Sequence, residues 1–161
     1  MIAILHNIRS AHNVGSMFRT ADGAGIEKIY LCGITPAPVD RFGRQNKEIA
    51  KVALGAESAV AWERVSSTVA LLKKLKKEGY EIVAVEQDKR SIPYHRTRLG
   101  KEKRARTALI MGNEVEGISP ALLKQCNTIL EIPMHGTKES LNVCVAFGIV
   151  AFRLLHPRTH I

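Results

Sequence analysis

The sequence predicts an α/β fold, a mainly parallel sheet flanked by helices. Two observations carry that expectation. Short apolar runs that suit strands alternate along the chain with segments whose apolar residues recur at helical spacing. Two of the runs, Thr107–Met111 and Thr128–Ile132, break off into Gly112-Asn113-Glu114 and into Pro133-Met134 and a loop. In open parallel sheets ligands bind beyond the carboxyl ends of strands, so these two loops are expected to wall a common pocket.

Taken in order, Ile2–Leu5 reads as a strand, and Asn13 is an N-cap candidate for a helix running to Ala24. Glu27–Cys32 is the next strand. Pro36 and Pro38 interrupt regular structure, and Arg41–Arg44 forms a basic turn around Gly43 before a helix over Gln45–Ala53. Ser66 or Ser67 caps a helix whose apolar positions Val69, Leu72 and Leu75 face inward, with Lys73, Lys74, Lys76 and Lys77 on the other face. Gly79 ends it. Glu81–Glu86 and Thr107–Met111 are strands, and Ser119-Pro120 reads as a cap followed by proline in the first turn. The strand Thr128–Ile132 and an apolar helix Leu141–Leu155 complete the pattern.

Composition narrows the classes. A chain of 161 residues with 45% hydrophobic content fits a single domain over 1–161 with a real core. Nothing approaches the roughly 18 consecutive apolar residues of a membrane span, and the N-terminus lacks a signal peptide's pattern, so a soluble, cytoplasmic protein is expected. Cys32, Cys126 and Cys144 show no C-x-x-C spacing, which argues against a disulfide framework or zinc site and for small, buried residues. His156 and His160 stand four apart, but Pro157 breaks the helix between them, and no metal is expected. Neither a G-x-G-x-x-G fingerprint nor a P-loop is present, against a dinucleotide-binding oxidoreductase, a Rossmann-type methyltransferase or a nucleotide hydrolase. The 24 Lys and Arg against 15 Asp and Glu give a net charge of +9, which suits a polyanionic partner. Eight basic residues fall between Lys89 and Arg106 with Glu102 as the one acid, just ahead of a strand that feeds the pocket, and this tract is expected to meet phosphate.

Three ordered segments carry a family resemblance. Asn13-Val14-Gly15 with Phe18-Arg19-Thr20-Ala21, Gly112-Asn113-Glu114 with Gly117, and Ile132-Pro133-Met134 with Ser140-Leu141-Asn142-Val143 resemble the three motifs of the SpoU (TrmH) RNA methyltransferases of the SPOUT superfamily. Lys51–Glu57 also looks like a family segment, so the resemblance covers nearly the whole chain.

That resemblance implies a C-terminal trefoil knot, S-adenosyl-L-methionine as cofactor, methylation of a ribose 2′-hydroxyl of tRNA or rRNA, and a homodimer in which one subunit's first motif completes the other's pocket. The resemblance nominates Arg19 as the residue that assists the reacting hydroxyl, by binding the adjoining phosphate or by charge stabilisation, with Asn13 placing it or the ribose. Glu114 would anchor the pocket, while Ser140 and Asn142 offer hydrogen-bonding groups at a helix start. Gly112, Ile132, Met134 and Leu141 are the implied cofactor contacts, joined by Val85 and Gln87 at a strand end. With no separate RNA-binding extension expected, recognition would use the core surface: Arg9, Arg41, Arg44, Arg96, Arg98, Lys103 and Arg104, together with the lysine face at 73–77. The alternative is a knotted basic protein that binds RNA without transferring methyl groups.

Overall fold

Apolar residues on both faces of consecutive strands force helices onto both sides of the sheet. In β1 (Ile2–His6), Ala3 and Leu5 enter one core, while Ile2 and Ile4 enter another. The same alternation splits β2 (Lys28–Cys32), β4 (Glu81–Val85) and β6 (Thr107–Met111). The computed structural model describes residues 1–157, so the His156/His160 pair lies partly outside the described residues. It holds a seven-stranded sheet in the order β3-β2-β1-β6-β4-β7-β5, with every pairing parallel. The remaining strands are β3 (Ala61–Val65), β5 (Ile92–Pro93) and β7 (Thr128–Glu131).

Helices α1 (Ala11–Ala24), α2 (Lys47–Ala53), α3 (Ala56–Ala59) and α7 (Val143–Leu155) cover one face; α4 (Thr68–Lys77) and α6 (Pro120–Leu123) cover the other. The short α5 (Lys101–Ala105) lies inside the basic tract. Because all strands run the same way, the loops after β1, β2, β4, β6 and β7 open at one sheet edge.

Several local expectations shift. The N-cap of α1 is Ser10, whose hydroxyl accepts from the Asn13 backbone N–H, so Asn13 sits within the first turn with its side chain free for other work. Both residues are good caps, and the choice displaces the helix start by most of a turn. On α4 the third inward residue is Leu71, and Val69 is exposed. Ser67 is its cap, and Gly79 follows it with φ of 84°. Helix α7 starts at Val143 with Asn142 as its cap, not at Leu141, which is left at the surface of the loop before it. Of the cysteines only Cys32 is fully buried; Cys126 and Cys144 are half-buried. The edge strand β3 escapes sequence reading because Glu63 and Arg64 interrupt its apolar character.

Glycine at 15 brings α1 against α2: a Cβ there would lie 2.7 Å from the Ile49 carbonyl oxygen and 3.0 Å from Val52 Cβ. Backbone cannot yield cheaply. Gly15→Ala is expected to lower stability by ~1–3 kcal/mol through overpacking, read as a reduced midpoint in urea with an unchanged slope.

Candidate active site

The strand ends of β4, β6 and β7 and the start of α7 enclose a cavity of about 330 Å³. Val85, Glu86 and Gln87 line it from β4, Gly112 to Gly117 from the turn after β6, and Ile132, Met134 and Ser140 to Val143 from the loop between β7 and α7. The structure thus gathers Glu114, Ser140, Asn142, Gly112, Ile132, Met134, Leu141, Val85 and Gln87 around one space.

A chain of polar contacts ties the three segments together. The Glu114 carboxylate accepts from the Arg9 backbone N–H (3.0 Å), the Ser10 backbone N–H (3.3 Å) and Asn13 Nδ2 (3.0 Å). Asn13 Oδ1 in turn accepts from Asn142 Nδ2 at 3.3 Å, and Asn142 Oδ1 caps α7 by accepting from the Cys144 N–H at 2.9 Å. Asn13 is buried, so its amide is committed to this bridge and cannot exchange freely with water.

The turn after β6 is built from the backbone outward. Asn113 Oδ1 accepts from the Val115 and Glu116 N–H groups, and its Nδ2 donates to the Asn7 carbonyl at 3.0 Å. Gly117 has φ of 66°, and the Glu86 carboxylate reaches over it to accept from the Ile118 N–H at 2.8 Å. Gly112 is required by packing: a Cβ there would lie 2.6 Å from the Gly117 carbonyl carbon. Gln87 donates to the Glu139 carbonyl, joining β4's end to the loop ahead of α7.

Electrostatics set this cavity apart from the rest of a basic chain. Glu86, Glu114, Glu116 and Glu131 line it, and among the described residues no Lys, Arg or His does. Burial pushes the Glu114 carboxyl up, but the donors from Arg9, Asn13, its own backbone and Ser10 outweigh it and hold the group below the usual carboxylate range. A depressed folded pKa gives stability that is present above the unfolded value of ~4.3 and lost as pH falls through the folded one. Glu114→Gln should therefore flatten the acid limb of the stability curve, checked by urea unfolding between about pH 3 and 6.

Other sequence candidates fall elsewhere. Arg19 is exposed on α1 and does not line this cavity; six residues beyond Asn13, it lies ~9 Å along the axis on a different face of the helix. Arg9 contributes its backbone N–H to Glu114. Arg41, Arg96 and Arg98 are exposed and make no hydrogen bond or ion pair among the described residues. Arg44 pairs with Asp40, and Lys103 pairs with Glu81 at 3.4 Å. Arg104 is half-buried and donates to the Leu155 carbonyl, which ties it to the end of α7 instead of leaving it on the basic surface. Sequence reading left Asn113 and Glu116 without roles and took Glu86 only as part of a strand end; Asn113 carried a signal through its place in the Gly112-Asn113-Glu114 segment. Among the described residues no group of His, Cys, Asp or Glu is arranged to hold a metal.

A cavity walled by three strand-end loops of a wholly parallel sheet defines an α/β protein whose ligand site is built from its carboxyl edge. The chain belongs to the SpoU rRNA Methylase family, whose family model matches residues 1–152. It is 33% identical over 158 residues to the 23S rRNA (guanosine-2'-O-)-methyltransferase RlmB of Salmonella typhi, covering 98% of this chain and 60% of that protein. The AdoMet-bound rRNA methyltransferase from Sinorhizobium meliloti superposes with a TM-score of 0.82 at 28% identity, over 94% of this chain and 54% of that one. The A. aeolicus TrmH/SpoU tRNA modifying enzyme gives 0.77 at 28% identity, over 94% and 71%. The chain spans about 60% of the length of the curated relatives it matches.

Proposed function

We propose that this chain transfers a methyl group from S-adenosyl-L-methionine to a ribose 2′-hydroxyl of rRNA or tRNA, working as a homodimer. The observation that carries the reading is the Glu114–Asn13–Asn142 bridge, which ties the first family segment to the two that wall the cavity. The cavity's chemistry fits the cofactor. Four carboxylates, with no basic side chain beside them among the described residues, suit a ligand carrying a sulfonium and an ammonium and oppose the phosphates of a dinucleotide or nucleoside triphosphate. Ile132, Leu141, Val143 and Ala146 offer apolar cover for a purine, with strand-end backbone groups of Gly112 and Met134 beside them.

When bound, the cofactor supplies an electrophilic methyl group, so the protein's contribution is alignment and charge. Asn13, fixed by Glu114, and Asn142, fixed as the cap of α7, hold the pocket's mouth in one geometry. Ser140 presents a hydroxyl on the same wall. An arginine stays protonated and is a poor base, so Arg19 acts as a positive charge on the ribose oxygen and its neighbouring phosphate as the proton leaves to solvent or to a phosphate oxygen.

Dimerisation supplies that charge. Arg19 is exposed and does not line its own chain's cavity, and α7, which packs on α1, leaves Val145 and Phe152 exposed. A partner docking on this apolar α1/α7 face would bring its Arg19 to the cavity. The knot is supported by the strand order and by the 86–106 segment, which embraces the 139–155 region. Gln87 bonds Glu139, Arg153 bonds the His95 carbonyl at 2.6 Å, and Arg104 bonds Leu155. Phosphate contact falls to the free cations Arg41, Arg96 and Arg98.

Titration calorimetry tests the cofactor assignment. Saturable binding of S-adenosyl-L-methionine is expected, with none for NAD or ATP; preference for either nucleotide would overturn it.

A further inference from the structure

The loop between β2 and α2 carries a feature that neither fold nor cavity uses. Phe42 is 66% exposed, the most exposed aromatic side chain among the described residues. The Arg41 guanidinium lies 4.7 Å from the centre of its ring and that of Arg44 5.1 Å. Beneath it the turn is firmly built. The Asp40 carboxylate accepts from the Phe42 N–H (2.8 Å), the Arg44 N–H (3.0 Å) and Arg44 Nε (2.7 Å), while Asp40 N–H donates to the Arg44 carbonyl at 2.9 Å. An apolar ring left in water on a rigid turn returns no burial energy to the fold.

Its position matters. The loop leaves the carboxyl end of β2, on the sheet edge where the cavity opens. Asn7 links the two: its Oδ1 accepts from the Ile34 N–H at 3.2 Å, and its carbonyl accepts from Asn113 Nδ2 at 3.0 Å.

We propose that Phe42 stacks on an unpaired nucleobase of the RNA whose ribose is methylated, while Arg41 swings from the ring to a flanking phosphate. The proposal rests on the RNA-methylating function proposed above. Stacking a base on an aromatic ring is worth more than an exposed cation–π contact, so the exchange is favourable. Arg44 is held by Asp40, whereas Arg41 has no hydrogen bond or ion pair among the described residues, so Arg41 is the one that moves. In a chain only 5% aromatic, one such platform selects RNA with a looped-out base over a continuous helix.

The test uses two fluorescein-labelled RNAs, a hairpin with an unpaired loop and a fully paired duplex of the same length, followed by anisotropy. Phe42→Ala should weaken hairpin binding roughly 5- to 100-fold and duplex binding by less than about twofold. Phe42→Leu, which keeps bulk without a π-face, should match the alanine variant; Phe42→Trp should match wild type. Each variant must bind S-adenosyl-L-methionine as wild type does, which excludes misfolding. Wild-type hairpin affinity in Phe42→Ala or Phe42→Leu, or equal losses on hairpin and duplex, overturns the stacking proposal alone. A wild-type protein that binds neither RNA overturns the RNA reading and this proposal with it.

Discussion

Arg19→Ala is expected to lower methyl transfer to RNA roughly 10²–10³-fold, the loss typical of removing one charge-stabilising donor, while cofactor affinity stays at the wild-type value. The separation follows from geometry. Arg19 stands outside its own chain's cavity, so its loss leaves the cofactor walls intact. Arg19→Lys keeps the charge but not the planar fork, and it should recover only part of the rate. Mixed dimers sharpen the point. Combining an Arg19→Ala protomer with one whose cavity is blocked should restore activity, because one intact cavity then meets one intact Arg19. If Arg19 served its own subunit's cavity, such mixtures would stay inactive.

Gly112→Ala carries the second large effect. The added Cβ would lie 2.5 Å from Ile118 Cγ1 and 2.6 Å from the Gly117 carbonyl carbon, and backbone at Gly117 cannot retreat while Glu86 holds the Ile118 N–H. The turn must move as a unit, which shifts the wall bearing Glu114 and Glu116. A stability loss of ~1–3 kcal/mol and at least roughly tenfold weaker cofactor binding are expected, measured by urea unfolding and calorimetry. Gly136→Ala, where a Cβ meets nothing within 4 Å, is the matched control and should change neither.

The parallel sheet was legible because its central strands are apolar on both faces and alternate with helical segments. The pocket was legible for the same reason, since strand-end loops in such sheets converge. Where sequence reading failed, a tertiary choice outweighed local preference. Ser10 and Asn13 are both competent caps, and only the Glu114 carboxylate waiting across the fold frees Asn13 for the bridge. Val69 and Leu71 both fit an amphipathic pattern, and the packing angle of α4 chose Leu71. Two residues pair in β5, too short to leave a periodic trace. Arg104 reads as one more cation in a basic run; its commitment to the end of α7 depends on a carbonyl 51 positions away. The acidic lining of the cavity was hidden too, because its four glutamates come from three separate stretches of a chain with net charge +9.

On the reading proposed above, this strand-end cavity delivers a methyl group to a ribose oxygen of RNA. The direct measurement is incubation of the purified protein with isotopically methyl-labelled S-adenosyl-L-methionine and unmodified rRNA and tRNA transcripts, followed by nuclease digestion and mass spectrometry. Label is expected in nuclease-resistant dinucleotides bearing a 2′-O-methyl ribose, and absent from the Arg19→Ala reaction. Label confined to bases, or RNA binding with no methyl transfer from a protein that binds the cofactor, would contradict it.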